Sequence, residues 1–325
     1  MPEYDKEEWI YDRSQFTTND SLIHYLCRVK PPLLFEPGTQ FSYCNTGYAI
    51  LASIIERVTN STFNNYLIEK IFNKVEMSRT KIYRPRYSPE QIDNYAIGYV
   101  YSDSLQKNTT PDQHEDHSYV VHLDGIQGDG MVNSTAKDLL KWDRVLYSNK
   151  LLTDETKQKM FGSSELIDGG ENKYGYGWRI ENDDLFGKIV KHSGGWPGYA
   201  TFIERYLDSD KTIIVLQNNY NNFNLNTKLL RAILHADLIP KTNKNNLIGR
   251  YEFEDDKTVL NIKIQDNQLI GVYNGDSFNL IQLKSNIFFI ENQQSVVIEL
   301  IELESKISMI KWHQGNYVGN LKRIK

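Results

Sequence analysis

Lys191-His192-Ser193-Gly194-Gly195-Trp196-Pro197-Gly198-Tyr199 is the stretch on which the fold turns. It follows an apolar run, Ile189-Val190, and leads into Ala200-Thr201-Phe202-Ile203-Glu204-Arg205, so it joins two strands. It fits a glycine-rich hairpin with no role beyond reversing the chain. It also fits the lip of a cleft. In that case His192 and Ser193 present polar groups at a sheet edge, Gly194 and Gly195 let a substrate backbone come close, and the Gly195 amide donates to an oxyanion.

On both sides of this stretch the residue pattern has a period of two. Tyr176-Gly177-Trp178-Arg179-Ile180, Lys188-Ile189-Val190-Lys191-His192, Ala200 to Arg205 and Thr212-Ile213-Ile214-Val215-Leu216 predict consecutive strands of an antiparallel sheet. Residues 226–238 predict a helix able to pack on one face of it. Upstream, helices are expected at 20–28, ending before Pro31-Pro32, at 46–59 and at about 62–72. The second is the strongest helical signal, with Leu51, Ile54, Ile55 and Val58 at helical spacing. Thr135 and Asp138 stand at capping-box spacing before another helix, and Thr153 starts a shorter one. Residues 82–130 are rich in turn formers and tyrosines and predict a wall over a site. The polar run Lys241-Thr242-Asn243-Lys244-Asn245-Asn246 predicts a linker. Beyond it, short strands such as 259–264, 296–300 and 307–312 predict a small all-β barrel or sandwich with no catalytic constellation.

Phe41-Ser42-Tyr43-Cys44-Asn45-Thr46-Gly47-Tyr48 sets Tyr43 and Asn45 two apart just before the strong helix. In an extended stretch, side chains two apart point the same way, so a phenol and an amide would face one cleft. Such a phenol can act as a general base, and the amide can hold a substrate carbonyl. With 21 tyrosines in the chain, Tyr-x-Asn alone equally fits a hydrogen-bonded helix entry.

Taken together and in this order, the motifs resemble those of serine β-lactamases and penicillin-binding proteins, in the class C β-lactamase-like branch. Glu36-Pro37-Gly38-x-x-Phe41-x-Tyr43-x-Asn45-x-Gly47-Tyr48 is similar to the family's second motif. Gly128-Asp129-Gly130-Met131 followed by Ser134-Thr135-Ala136-Lys137-Asp138-Leu139 is similar to a glycine pair and helix start common in that branch. His192-Ser193-Gly194-Gly195 resembles its third motif, with histidine in place of lysine. The resemblance covers roughly residues 1–235. It implies an α/β (α+β type) fold, an antiparallel sheet with flanking helices and a helical subdomain over 1–240, plus a small β-domain over 245–325. It also implies amide or ester hydrolysis through an acyl-serine. Tyr43 and His192 would be catalytic, Asn45, Ser193, Gly194 and Gly195 would bind substrate, and no metal or cofactor is expected. A histidine, neutral or partly charged near pH 7, anchors a carboxylate less firmly than lysine, which leans toward esterase or peptidase activity.

The family's first motif, Ser-x-x-Lys, does not precede Tyr43. It occurs by accident of composition at Ser78/Lys81, Ser104/Lys107 and Ser308/Lys311. Met1-Pro2-Glu3-Tyr4 resembles a stretch inside the family's domain, so the chain is expected to begin late by roughly ninety residues, judged from the usual size of the fold's first portion. The alternative is a catalytically inactive remnant or a ligand-binding pseudoenzyme. Lost strands would expose sheet edge and apolar helix faces, so poor solubility is expected of the chain alone.

His114-Glu115-Asp116-His117, with His122 and Asp124 nearby, matches no metal-site spacing and is expected to be a solvated surface run, although His122 could face the cleft. A net charge of −5 without a basic stripe speaks against a nucleic-acid partner. No apolar run is long enough to span a membrane. The expected partner is a small-molecule or peptide substrate, with oligomeric state unassigned and an extracytoplasmic location suspected. Cys27 and Cys44 are too few for a disulfide framework.

Overall fold

The structure, a computed structural model, describes residues 15–219, 227–238, 243–303, 306–314 and 317–324. Met1-Pro2-Glu3-Tyr4 and Lys241-Thr242 therefore lie outside the described residues. The chain divides into two compact units, Met1–Asn182 with Lys188–Phe223, and Asp183–Gly187 with Asn224–Lys325.

In the first unit, helices α1 (Asn19–Val29) and α2 (Asn45–Thr59) lie against the 125–128 segment. The buried amide of Asn19 joins all three. Its nitrogen donates to the carbonyls of Ala49 (2.7 Å) and Gln127 (2.8 Å), and its oxygen accepts from the Gln127 amide (2.9 Å). Gly128 completes the contact. At φ +106°, a Cβ there would stand 2.5 Å from that of Ala52 and 2.7 Å from the Tyr48 carbonyl.

This packing changes the face expected of α2. Ala49, Ala52 and Ser53 are buried and Ile55 is partly buried against Ala52 and Phe63, whereas Leu51 is 53%, Ile54 48% and Val58 80% exposed. Small residues permit the close approach of Gly128 and the Asn19 hydrogen bond to the backbone; the rest of the larger stripe is left outside.

Helix α3 (Phe63–Leu67) runs into a wider π-type turn over Ile68–Phe72. Helices α4 (Ala136–Val145) and α5 (Asp154–Met160) start at Thr135 and Thr153, whose hydroxyls accept from the amides of Asp138 and Thr156. Asp138 does not complete a capping box. Its carboxylate takes the Arg79 amide (2.8 Å) and the Thr80 hydroxyl (3.0 Å) instead.

The sheet is antiparallel, as expected. Strands β1 (Arg179–Asp183), β2 (Gly187–Trp196), β3 (Tyr199–Tyr206) and β4 (Lys211–Gln217) stand in the order β4-β3-β2-β1. The first strand begins later than the sequence predicts. Gly177 has φ +81°, and Gly175 donates to the Trp178 carbonyl (2.8 Å), which makes residues 174–178 a turn. In β3, alternation sends Arg205 to the face covered by α4. There it is fully buried and paired with Asp143, which also accepts from Thr212 (2.8 Å). Its guanidinium lies over the rings of Tyr147 (4.8 Å), Phe161 (5.2 Å) and Trp178 (5.8 Å).

In the second unit, eight antiparallel strands from Gly249–Phe253 to Tyr317–Ile324 form a closed barrel. Pairing of the last strand with the first removes the sheet edge, and inward-facing Tyr251, Leu260, Ile262, Ile298, Ile310 and Leu321 fill the interior. Helix α6 (Thr227–Leu234) belongs to this unit and contacts the strand Asp276–Lys284. Cys27 and Cys44 form no disulfide.

Two outcomes follow from this packing. Asp143→Ala strips a fully buried guanidinium of its counter-ion and is expected to cost about 3–5 kcal/mol. The measurement is the urea midpoint; an unchanged midpoint would count against the ion pair as an anchor. The chain expressed alone is expected to self-associate through Leu51, Ile54 and Val58. In sedimentation velocity, the triple variant Leu51→Glu, Ile54→Lys, Val58→Glu should raise the monomer fraction, and a wild-type chain already monomeric would contradict this.

Candidate active site

Pro197 and Gly198 close the β2–β3 hairpin. Proline presets φ at the first turn position, and Gly198, at φ +89°, takes the positive value required at the second. The turn is pressed against a wall loop. A Cβ on Gly198 would lie 2.8 Å from the Gly98 carbonyl carbon, and Tyr199 Oη donates to the Ala96 carbonyl (2.8 Å) and accepts from Tyr95 Oη (2.9 Å). Strand β2 has ten residues against five in β1, so the half carrying His192–Trp196 outruns β1 and forms an open edge there.

The pleat separates the two polar residues of this stretch. His192 pairs with Ile203 and Ser193 with Phe202, and alternation sends their side chains to opposite faces. His192 is half-buried, while Ser193 and Gly195 are exposed. Gly194 faces Thr201, whose hydroxyl oxygen would lie 2.4 Å from a Cβ at position 194.

Tyr43 comes to the face of His192. Their ring centroids are 5.9 Å apart, and Tyr43 also meets Tyr174 edge-on at 5.8 Å. Asn45 is half-buried and is already the first residue of α2. The extended stretch ends at Cys44, so the simple two-residue alternation expected for Tyr43 and Asn45 does not apply.

Tyr174 is the residue that the sequence did not single out. It is buried, stacked on Phe41 at 5.4 Å, and its hydroxyl lies 2.9 Å from His192 Nε2. The other ring nitrogen, Nδ1, lies 2.7 Å from the Ser193 carbonyl oxygen. The available signal was local: two glycines in Tyr174-Gly175-Tyr176-Gly177 mark a turn that delivers a side chain beside β2. Burial, a hydrogen bond with Tyr48 and the proximity of Tyr43 hold the Tyr174 phenol above the usual tyrosine range.

The histidine run is solvated only in part. Glu115 and Asp116 are exposed as expected, but His114 and His122 are buried, and the rings of His114 and His117 lie 4.6 Å apart. Asp124 is fully buried and accepts from the amides of Arg86 (2.7 Å) and Tyr87 (2.9 Å), which ties the wall loop together. Among the described residues, no group of three or more His, Cys, Asp or Glu side chains is arranged to hold a metal ion. No helix among them is long and apolar enough to cross a membrane. The Ser-x-x-Lys matches also sit badly. Ser78 and Ser104 lie in turns, and Ser308 and Lys311, three apart on one strand, point to opposite faces.

Burial lowers the pKa of His192; the Ser193 carbonyl opposes this, and Arg179 adds to the lowering. His117 is lowered in the same way, by burial and then by His114. Both groups bind protons more readily when unfolded. Their contribution to stability is therefore complete above the ordinary histidine value of about 6.5 and falls as pH drops below it. The thermal midpoint should decline from there, before carboxylates begin to titrate near about pH 5. His192→Gln should flatten the slope, and an identical slope in the variant would refute this assignment.

Comparison with known proteins agrees with the architecture. The Beta-lactamase family model matches residues 2–237. Penicillin-binding protein 4* of Bacillus subtilis (strain 168) is 39% identical over 225 residues, which are 69% of this chain and 50% of that protein. The chain thus spans about half the length of this curated relative. Among solved structures, the octameric penicillin-binding protein homologue from Pyrococcus abyssi has a TM-score of 0.55 at 19% identity, over 94% of this chain and 70% of that one. D-amino acid amidase from Ochrobactrum anthropi SV3 has a TM-score of 0.56 at 18% identity, over 73% and 70%. These two structures share the fold of an antiparallel sheet with flanking helices. With the family matched over most of its length, the chain belongs to the Beta-lactamase family of serine β-lactamases and penicillin-binding proteins.

Proposed function

We propose that this chain forms the tyrosine wall and the third-motif wall of a serine hydrolase site that acts on an amide or ester through an acyl-serine. The observation that carries this is the meeting of Tyr43 and His192, 149 positions apart in sequence, at the open half of β2. In this scheme a serine oxygen bonds to the substrate carbonyl carbon and the bond to the leaving amine or alcohol breaks. Tyr43 carries the serine's proton to that leaving group. Asn45 holds the substrate amide, and Ser193 and Gly194 line the rim where the substrate backbone lies along the strand edge. The Gly195 amide donates to the oxyanion. Water then splits the ester, leaving the acid and restoring the serine.

The name of the Bacillus relative supports a penicillin-like or peptide acyl donor, and the amidase fold is compatible with an amide. A ligand-binding pseudoenzyme is the second reading, favoured by the positions of Ser78, Ser104 and Ser308 in turns or on a strand.

Incubation with fluorescent penicillin or a fluorophosphonate, followed by peptide mass spectrometry, tests the scheme. No serine of these residues is expected to be labelled; a labelled serine would overturn the reading that none of the Ser-x-x-Lys matches at Ser78, Ser104 and Ser308 is the nucleophile. In a form of the protein that does acylate, Tyr43→Phe should lower kcat/KM by about 10²–10⁴-fold. An unaffected Tyr43→Phe variant would remove Tyr43 from the proton path.

A further inference from the structure

The hydrogen bonds around His192 can be assigned a direction. Nδ1 faces the Ser193 carbonyl oxygen at 2.7 Å, and a carbonyl only accepts, so Nδ1 carries a proton. Burial disfavours the imidazolium, so the ring holds that one proton and Nε2 is a bare lone pair. Tyr174 Oη, 2.9 Å away, must then donate to Nε2. The chain of donors runs one way: Tyr174 to His192, His192 to the backbone of β2.

We infer that Tyr174 is a positioning residue that holds His192 as the neutral, Nδ1-protonated tautomer with its Nε2 lone pair engaged inside the protein. The third motif then offers neither a cation nor a free base to the cleft. Resting on the proposed acyl-transfer reading, this selects substrates whose group at this rim is uncharged, because a carboxylate placed there would find no counter-ion on His192. Arg179, whose guanidinium carbon lies 6.0 Å from the Tyr174 ring centroid, adds to the disfavouring of imidazolium. The sequence motif alone could not show this, because it depends on a tyrosine 18 positions upstream.

The test is nitrogen-15 NMR of the full chain labelled on histidine, with the His192 signals assigned by their loss in His192→Gln. The expected spectrum near neutral pH has a protonated Nδ1 and an unprotonated, hydrogen-bonded Nε2. Tyr174→Phe should move the Nε2 resonance toward that of a lone pair without a donor while Nδ1 stays protonated. An Nε2-protonated ring in the wild-type chain would overturn the inference, as would an unmoved Nε2 resonance in Tyr174→Phe with native near-ultraviolet circular dichroism. If Tyr174→Phe does not fold, the tautomer of the wild-type ring decides the matter. These spectra need no turnover, so failure of the acylation scheme and failure of the tautomer assignment are read separately.

Discussion

Arg205 and Asp143 form a fully buried ion pair, and the placement of the sheet against its helices depends on it. A guanidinium in a protein interior cannot shed its charge, so it must be given a counter-ion and ring faces or the segment cannot be buried at all. Asp143 on α4, Thr212 on β4 and the rings of Tyr147, Phe161 and Trp178 meet that demand from four separate segments. Arg205 pairs across the sheet with Val190, two residues before His192. The pair thus sets the height of α4 and the register in which β2 presents the third motif.

A second constraint acts on the other wall. Asn19, with no unsatisfied polar atom, binds the 125–128 segment and α2 through backbone groups only. Helix α2 begins two residues after Tyr43, so the rotation that buries Ala49 and Ala52 also helps to set where the chain enters the cluster of Phe41, Tyr43, Tyr174 and His192. The same rotation leaves Leu51, Ile54 and Val58 outside. The placement of that cluster and the exposure of Leu51, Ile54 and Val58 share one cause, the small-residue face of α2.

The aromatic cluster suits the imidazole of His192 better than it would suit an ammonium. A lysine ammonium would need water or a carboxylate in a pocket walled by three rings, whereas a neutral imidazole is satisfied by one phenol and one carbonyl. The wall loop is fixed to the same hairpin by Tyr95, Tyr199 and the contact of Gly98 with Gly198. The open half of β2 is therefore bounded by structure that is itself hydrogen-bonded.

What the sequence determined by itself was local and periodic. Alternation gave β2, β3 and β4, hydroxyl caps gave α4 and α5, Pro197-Gly198 gave the hairpin turn, and the resemblance of the motifs around Tyr43, Gly128 and His192 to those of a known family gave the family. It misled where burial depends on partners distant in the chain. The large apolar residues of α2 looked like its core face, yet a glycine 76 positions past Ala52 took the alanines instead. The histidine run looked solvated, yet the 3₁₀ turns of the wall fold His114 and His122 inward. Tyr174 carried no motif, because its importance is a distance of 2.9 Å to a ring on another strand. Only the tertiary structure could decide these points, since hydrogen bonds and close packing are made between segments that one-dimensional spacing does not relate.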